Sequence, residues 1–338
     1  MANQFRLTAG QARKLIFGAL TGAGTAERNA RYFTEAILDT ELSGIEGHGF
    51  YWLQFYCEHV RSGKVDGKAR PNVKMLSPVA IRVDAKRGFA HPAIEAGFAK
   101  LIPSAKRYGI AGMAVQMSYN AATLGFHTGY LARKGLLAIG FTNATPAIAP
   151  VGGTKPVIGT NPLSVAVPGP KGKIAFLVDQ SSSAVAWTNV KTAAEKNETI
   201  PLGWALDESG KPTTDPRRGL AGSMAPAGGY KGFSQGLIVE VMCSALTGSL
   251  LGTQMGSFVE NDGKPIGCGQ FFIAIDPKRF SGGAFDKQVK TLVKSIQMQD
   301  GARLPNARRV ANQKRLAKEG LPINRELYER LKNFESGA

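Results

Sequence analysis

"PVAIRVDAKRGFAHPAIEAGFAKLIPSAKRYGIAGMAVQ", residues 78–116, contains a helix pattern between two strand patterns. The runs 78–85 and 110–116 are short and apolar, as strands of a packed sheet are. Between them, apolar residues recur at helical spacing over residues 91–109. A strand, a helix and a second strand in this order predict an α/β protein.

The same alternation continues on the C-terminal side of this stretch. The next segments predict a helix at 123–135, a strand at 136–144 and paired strands within 156–180. Further along, the pattern predicts a helix at 183–197, a loop at 200–216, a long buried helix from 230 to near Gly248, and a strand at 268–277.

The two ends of the chain have helical patterns only. Three helices that end in glycine are predicted within the first 65 or so residues. The tail from Phe280 is predicted to be helical with a break at "LPNA", and a helix after Pro322 is expected to pack back on the N-terminal helices.

Composition indicates a globular protein with a sizeable core. The chain has 338 residues, of which 43% are hydrophobic and 20% charged. The start "MANQFRLTAGQARKL" lacks the apolar run of a signal peptide, and no apolar run reaches the ~18 residues that cross a bilayer. We therefore expect a cytoplasmic protein without a membrane segment. Three cysteines, distant and without CxxC spacing, predict small buried side chains and neither a disulfide framework nor a metal site.

Basic residues exceed acidic ones by 42 to 25, which gives a net charge of +17. Such an excess is typical of nucleic-acid binders and of proteins that bind anionic small molecules. The charges are spread along the chain, with one denser stretch at 302–318 and no recognisable nucleic-acid module. This distribution favours small anions and dinucleotides, while nucleic-acid binding that falls steeply with salt stays an alternative.

Among the four histidines, His48 has the most unusual setting, because it lies between Gly47 and Gly49. Missing side chains on both sides let a ligand or another backbone segment approach the imidazole. The alternative is a tight turn in which His48 caps the following helix. The remaining histidines fit capping or surface positions on helices better: His59, His91 and His127.

The usual dinucleotide fingerprint is absent. The nearest candidate, "GAGTAE" at 22–27, follows a helix pattern and lacks the third glycine, and no Walker loop is present. Any nicotinamide cofactor is therefore expected to bind outside the Rossmann scheme.

Seven motifs along nearly the whole chain resemble the malate/L-lactate dehydrogenase family that is unrelated to the Rossmann lactate dehydrogenases. Their order and spacing are more specific than any single motif. They are "GHGFYWLQFYCEHVRSGKVDGKARP" (47–71), "GTNPLSVAVP" (159–168), "FLVDQSSSAVAW" (176–187), "IPLGWALDESGKPTTDP" (200–216), "GGYKGFSQGLIVEVMCSALTGSLLG" (228–252), "GQFFIAIDP" (269–277) and "ARLPNARR" (302–309).

The resemblance implies a reductase of 2-oxo acids or cyclic 2-imino acids that uses NADH or NADPH. It also implies a homodimer with the cofactor near the subunit interface. The implied fold is a mixed-sheet, non-Rossmann α/β domain with a helical domain formed by both chain ends. We accordingly expect a helical region at 1–75, a mixed-sheet cofactor and substrate domain at 76–278, and returning C-terminal helices at 279–338.

The resemblance also implies the catalytic pair. His48 matches the family's "SHG" histidine and becomes the proton donor to the developing alkoxide or amine. An imidazole suits this role because its ordinary pKa lies near neutral pH. Asp179 follows an apolar strand, where it can orient the histidine and stabilise its charged form, or simply begin a turn.

The implied cofactor residues come from three motifs. A helix start with a lysine, as in "GGYKG", can hold phosphate oxygens. Arginines beside the "LPNA" loop can pair with a 2′-phosphate, which favours NADPH over NADH. The residues are Asp179, Gln180, Ser181 and Ser182; Tyr230, Lys231 and Gly232; and Pro305, Asn306, Ala307 and Arg308, with Asn306 in a glycine position that suits left-handed backbone angles.

Three departures from the family bear on the substrate, for which the resemblance assigns positions 52, 120 and Thr160. Gly47 replaces a common serine, Trp52 a carboxylate-gripping arginine, and Asn120 a histidine. With an indole in place of a bidentate cation, we expect cyclic imino acids or apolar monocarboxylic 2-oxo acids to be preferred over dicarboxylic and sulfonated ones. The alternatives are that Trp52 lies in the helical core while another arginine grips the carboxylate, and that the protein holds a dinucleotide without turnover.

Overall fold

A mixed seven-stranded sheet organises the computed structural model, which describes residues 4–337 except for the side chain of Glu46. The strands are β1 (Gln4–Leu7), β2 (Asn72–Ser77), β3 (Ala80–Asp84), β4 (Ile110–Ser118), β5 (Leu137–Thr142), β6 (Leu163–Pro168), β7 (Ile174–Gln180), β8 (Ala205–Leu206), β9 (Pro212–Thr213), β10 (Ser223–Met224), β11 (Cys268–Ile275) and β12 (Leu321–Asn324). The strand order in the seven-stranded sheet is β2-β3-β4-β11-β5-β6-β7, and only β3 and β4 run parallel.

Helices cover the sheet and form a separate cluster at the chain ends. They are α1 (Ala9–Gly22), α2 (Glu27–Leu42), α3 (Phe50–Arg61), α4 (Ala90–Tyr108), α5 (Leu124–Arg133), α6 (Trp187–Glu195), α7 (Pro216–Ala221), α8 (Tyr230–Cys243), α9 (Pro277–Phe280), α10 (Phe285–Gln297), α11 (Ala307–Glu319) and α12 (Arg325–Glu335). None of the helices in the described part of the chain is both long and apolar enough to span a membrane.

The stretch at 78–116 forms the predicted strand, helix and strand. β3 and β4 pair in parallel because α4 carries the chain back across the sheet between them. The other pairs are antiparallel, so the sheet is mixed and differs from the doubly wound Rossmann arrangement, as expected. Apolar side chains from α4, α5 and the central strands form its core.

Both chain ends build one helical cluster, as the sequence predicts. α12 packs against α1, and the two share a core with α2 and α3. A side chain at Gly22 would collide with the backbone of Phe334, so this glycine permits the close approach of the two helices. The two chain ends are also joined by a strand pair that the sequence did not predict, because β1 pairs antiparallel with β12.

The prediction that the segment from 230 forms a long buried helix is wrong on two points. α8 ends at Cys243, five residues before Gly248. One face of α8 is also exposed, although its sequence is apolar nearly all round and therefore predicts burial. The exposed fractions on this face are 65% for Tyr230, 47% for Leu237, 61% for Ile238 and 52% for Val241.

The cysteines are buried as predicted, but the expectation of surface or capping positions for three histidines is wrong. His59, His91 and His127 are all fully buried. His91 stacks on Phe33, with ring centroids 4.0 Å apart, and neither of its nitrogens has a hydrogen-bond partner among the described residues. Burial lowers the pKa of His127 to about 4 and that of His91 well below its ordinary value.

These buried histidines predict acid sensitivity. Because the folded state favours the neutral rings, the unfolded chain binds more protons below pH 6.5, the ordinary histidine pKa. Stability should therefore be complete above pH 6.5 and fall by about 1.4 kcal/mol per pH unit for each histidine as the pH drops toward 4.

Urea denaturation of His91→Phe tests this expectation. Phenylalanine keeps the stacking contact with Phe33 and removes the titrating group, so the variant should unfold like the wild type at pH 7. At pH 5 it should be more stable than the wild type by about 2 kcal/mol. An equal stability difference at both pH values would show that His91 does not titrate with unfolding.

Candidate active site

His48 ends a single 3-10 turn, Glu46–His48, between α2 and α3. The flanking glycines are explained by neighbours that are distant in sequence. A Cβ at Gly47 would lie 2.6 Å from Thr188 Oγ1, and one at Gly49 would collide with the carboxylate of Glu41. That carboxylate accepts a hydrogen bond from the backbone N–H of Phe50. Glu41, rather than His48, therefore caps α3, and the glycines serve a tightly packed turn.

A cavity of about 490 Å³, here the first cavity, brings the predicted catalytic and substrate residues together. His48 and Trp52 come from the helical side, whereas Asn120, Thr160 and Asp179 come from the sheet side. The rest of the lining is mostly apolar and includes Ile45, Leu124, Pro146, Pro162, Trp187, Phe258 and Val259. Such a pocket, with few polar groups converging on it, is typical of a small-molecule site.

Asp179 is held near the end of β7 by two donors on one oxygen. Its Oδ2 accepts from Arg309 Nη1 at 2.8 Å and from the backbone N–H of Gly125 at 3.1 Å. The side chain is 8% exposed. A Cβ at Gly125 would lie 2.9 Å from Oδ2, so glycine at the start of α5 lets the helix end approach the carboxylate. The position of the Asp179 carboxylate is thus fixed by residues that are distant in sequence and not by a local turn.

The electrostatic setting of His48 has three components. Burial lowers its pKa most strongly, Asp179 raises the pKa, and Arg309 lowers it. Nδ1 is buried without a hydrogen-bond partner among the described residues, and the ring lines the first cavity. The neutral ring is favoured in the free protein, and anything that draws Arg309 away from Asp179 favours the protonated ring.

Trp52 belongs both to the core and to the cavity wall. It is 7% exposed, packs against Phe55 and Tyr56, and lines the first cavity. Phe258 meets its ring edge-on, with centroids 6.4 Å apart. The indole therefore presents an apolar wall to the cavity while the rest of its surface packs against aromatic side chains.

Asn120 and Thr160 lie in turns that shape the cavity. Asn120 Oδ1 accepts a hydrogen bond of 2.5 Å from the backbone N–H of Ala122. This bond supports the left-handed backbone of Ala122, whose φ is 50°. The carbonyl of Thr160 accepts a hydrogen bond from the N–H of Ser182 at 2.7 Å, so this loop is tied to the end of β7.

A second cavity of about 560 Å³ adjoins the first, and the two share the lining residues Ile45, Thr123 and Arg309. Leu304–Ala307 line the second cavity, and Asn306 has φ 72°, so the predicted left-handed conformation is confirmed. Three cations line this cavity, Arg133, Lys173 and Arg309, together with one carboxylate, Asp39.

This pair of cavities suits a nicotinamide dinucleotide. The mostly apolar first cavity can hold a planar ring beside His48, and the cationic second cavity can hold phosphate oxygens. Asn306 places the start of α11, with its free backbone N–H groups, at the second cavity.

The other residues predicted for the cofactor divide into three groups. Gln180 and Ser181 line the first cavity. Ser182 is fully buried, and its hydroxyl donates to the carbonyl of Asn161 at 2.8 Å. The rest lie outside both cavities in the single chain, and their roles stay predictions: Tyr230, Lys231 and Gly232 at the start of α8, and the exposed Arg308.

Sequence reasoning did not single out Glu240, a buried carboxylate on α8. Its oxygens accept hydrogen bonds from Asn161 Nδ2 at 2.7 Å, Asn143 Nδ2 at 3.3 Å and the N–H of Gly252 at 2.7 Å. Through these bonds Glu240 connects α8 to three loops: the loop after β5 through Asn143, the loop before β6 through Asn161, and the loop after α8 through Gly252. The sequence feature that could have identified Glu240 is a lone acid in the apolar run "LIVEVMC", because a buried charge needs partners.

Within the described residues, no group of histidine, cysteine and carboxylate side chains could hold a metal ion.

Comparisons with known proteins show which family the chain belongs to. The family model described as malate/L-lactate dehydrogenase matches residues 7–332. A (2R)-3-sulfolactate dehydrogenase (NADP(+)) from Chromohalobacter salexigens is 41% identical over 89% of this chain and 90% of its own length. A Δ1-pyrroline-2-carboxylate reductase from Ancylobacter novellus is 36% identical over 98% of both chains.

Solved structures give the same result for the fold. The Δ1-piperideine-2-carboxylate reductase from Pseudomonas syringae superposes with a TM-score of 0.91 at 31% identity, over 98% of this chain and 99% of that one. A sulfolactate dehydrogenase from Methanocaldococcus jannaschii gives 0.89 at 28% identity, over 98% of this chain and 96% of that one. The resemblance inferred from the motifs is confirmed, and the chain belongs to the malate/L-lactate dehydrogenase family of oxidoreductases.

Proposed function

We propose that the protein is an NADPH-dependent reductase of cyclic 2-imino acids, and of 2-oxo monocarboxylic acids with apolar side chains, with His48 as acid/base. The observation that carries the proposal is the composition of the first cavity. His48 and Asp179 share it with Trp52, and Arg309 is the one lysine or arginine among the described lining residues. A cavity with the apolar indole of Trp52 on one side and a single cation in its lining suits a substrate that has a ring or alkyl chain and one carboxylate.

The proposed chemistry divides between cofactor and protein. A bound nicotinamide supplies the hydride that reduces carbon 2. His48 Nε2 gives a proton to the oxygen or nitrogen attached to that carbon and takes it back in the reverse direction. The negative charge of Asp179 favours the protonated ring before transfer. The apolar lining excludes water and strengthens these interactions.

For the cofactor, we assign the phosphate groups to the second cavity. Arg133, Lys173 and Arg309 supply positive charge there, and the "LPNA" loop supplies backbone N–H groups. Three cations in one cavity favour the more highly charged NADPH over NADH. The (2R)-3-sulfolactate dehydrogenase is named for NADP(+), which supports this preference.

The second candidate substrate class is the sulfonated acids, favoured by the 41% identity to the sulfolactate dehydrogenase. A dianionic sulfolactate needs two cationic partners. In this chain Trp52 occupies the position of the family's arginine, and Arg309 is the one lysine or arginine among the described lining residues, so the first cavity offers at most one such partner. The imino-acid class therefore ranks first.

A substrate panel with equal NADPH and NADH arms tests the proposal. The wild type should show its highest kcat/KM with Δ1-pyrroline-2-carboxylate or Δ1-piperideine-2-carboxylate, followed by apolar 2-oxo acids, with oxaloacetate and sulfopyruvate last. Trp52→Arg should shift the ratio toward sulfopyruvate by about 10-fold or more, because it adds a charge-assisted partner. Trp52→Phe, the matched control, should keep the wild-type ranking. A wild-type preference for sulfopyruvate would sink the imino-acid assignment.

We also propose a cytoplasmic homodimer, as the family resemblance implies. The exposed apolar face of α8 supports it, because monomeric proteins seldom expose such a stripe to water. Sedimentation at micromolar concentration should give a species of twice the 35.9 kDa chain mass, whereas a single-chain mass would contradict the dimer.

A further inference from the structure

The segment 257–262 forms part of the first cavity although it lies far along the chain from the catalytic turn. It precedes β11, and Ser257, Phe258 and Val259 line the cavity. None of the seven family motifs in the sequence includes this segment.

Lys64 anchors this segment to the end of α3. Its side chain is fully buried, which is unusual for a lysine, and lies just beyond the end of α3. The ammonium donates to the carbonyl of Glu260 at 2.7 Å and to Asp262 Oδ1 at 2.6 Å. A buried ammonium is tolerated only when it is paired, so Lys64 strongly favours the arrangement in which the segment covers it.

Phe258 is the side chain that this anchor places in the site. Its ring meets Trp52 at 6.4 Å and Tyr119 at 5.8 Å between centroids, edge-on in both cases. Tyr119 is itself buried, and its hydroxyl is hydrogen-bonded to His59 Nδ1. Phe258 therefore continues the apolar wall of Trp52 along the cavity.

We propose that Phe258 is a specificity-determining residue that contacts the ring or alkyl part of the substrate, and that Lys64 with Asp262 is its positioning pair. The proposal rests on the proposed function and deepens it, because it names the second apolar wall for the substrate. Lys64 never touches the substrate; it acts by holding residues 257–262 against α3.

Four variants test the assignment: Phe258→Ala, Lys64→Met, the double variant, and Lys68→Met as the matched control. Methionine at 64 keeps an apolar stem of similar length and removes all three ammonium donors. Lys68 is exposed on the same connection and serves to show what loss of a nearby charge does by itself. The readouts are KM and kcat for Δ1-pyrroline-2-carboxylate, NADPH affinity without substrate, and hydrogen exchange of the 257–262 segment.

Phe258→Ala and Lys64→Met should each raise KM by about 10-fold, the loss expected for an apolar contact, and leave NADPH affinity unchanged. Exchange in 257–262 should accelerate in Lys64→Met and stay at the wild-type rate in Lys68→Met. Because both changes remove the same contact, the double variant should resemble Phe258→Ala alone.

A wild-type KM in Phe258→Ala, or fully additive effects in the double variant, would overturn the proposal. If Phe258→Ala fails to fold, Phe258→Leu keeps most of the packing and should raise KM selectively for ring substrates over pyruvate. If the wild type reduces no imino acid, the proposed function fails. Hydrogen exchange then still decides whether Lys64 holds the segment.

Discussion

Replacing His48 with glutamine is expected to lower kcat for the proposed reduction by about 100- to 10,000-fold, the range that a positioned general acid contributes. Glutamine approximates the size of the imidazole but cannot release a proton at neutral pH. The turn should persist, because it is held by Glu41 and Thr188 against Gly49 and Gly47 and not by the ring itself. Steady-state kinetics with saturating NADPH measure the effect.

Two controls separate chemistry from folding. NADPH affinity of His48→Gln should stay within a few-fold of the wild type, since the cations assigned to the phosphates lie in the second cavity. His91→Phe, which changes a buried histidine outside both cavities, should keep the wild-type kcat. A His48→Gln variant with normal turnover would show that another group supplies the proton.

Arg309→Gln is expected to weaken NADPH binding by about 10- to 100-fold, the loss typical of a hydrogen bond to a charged group. Arg309 lies where the two cavities meet, with its guanidinium on Asp179 at 2.8 Å. A cofactor phosphate can take over this guanidinium, which frees Asp179 to favour the protonated form of His48. Fluorescence titration without substrate measures the affinity directly.

Arg308→Gln is the matched control, because Arg308 precedes Arg309 on α11 but is exposed outside both cavities. Its NADPH affinity should change by less than about 3-fold, as for a solvated surface charge. A larger loss in Arg308→Gln than in Arg309→Gln would place the phosphates outside the second cavity and support the assignment of Arg308 made from the motif.

Local patterns predicted the elements of the sheet better than their arrangement. Periodicity located β3, α4 and β4, and the C-terminal helix that returns to α1. It could not show that β11 lies between β4 and β5, because that order depends on pairings between residues more than a hundred positions apart. The four-residue pair of β1 and β12 was missed for the same reason.

For the site, too, the sequence predicted some residues and missed features that depend on contacts between distant parts of the chain. Motif resemblance predicted His48 and Asp179, which the structure brings to one cavity. The reason for Gly47 and Gly49 was beyond local reasoning, because Thr188 and Glu41 are neighbours in space only. The choice between Arg308 and Arg309 depends on the rotational phase of α11, which a sequence motif does not reveal. Lys64 gave no signal because a lone lysine in a loop is ordinarily solvated.

Transfer of deuterium from NADPH that carries deuterium at both positions of the reactive nicotinamide carbon tests the central claim most directly. The wild type, given Δ1-pyrroline-2-carboxylate in a single turnover, should yield proline that carries deuterium at carbon 2. His48→Gln should give the same labelled product at least about 100-fold more slowly. Unlabelled proline, no proline at all, or labelled proline formed by His48→Gln at the wild-type rate would contradict the account.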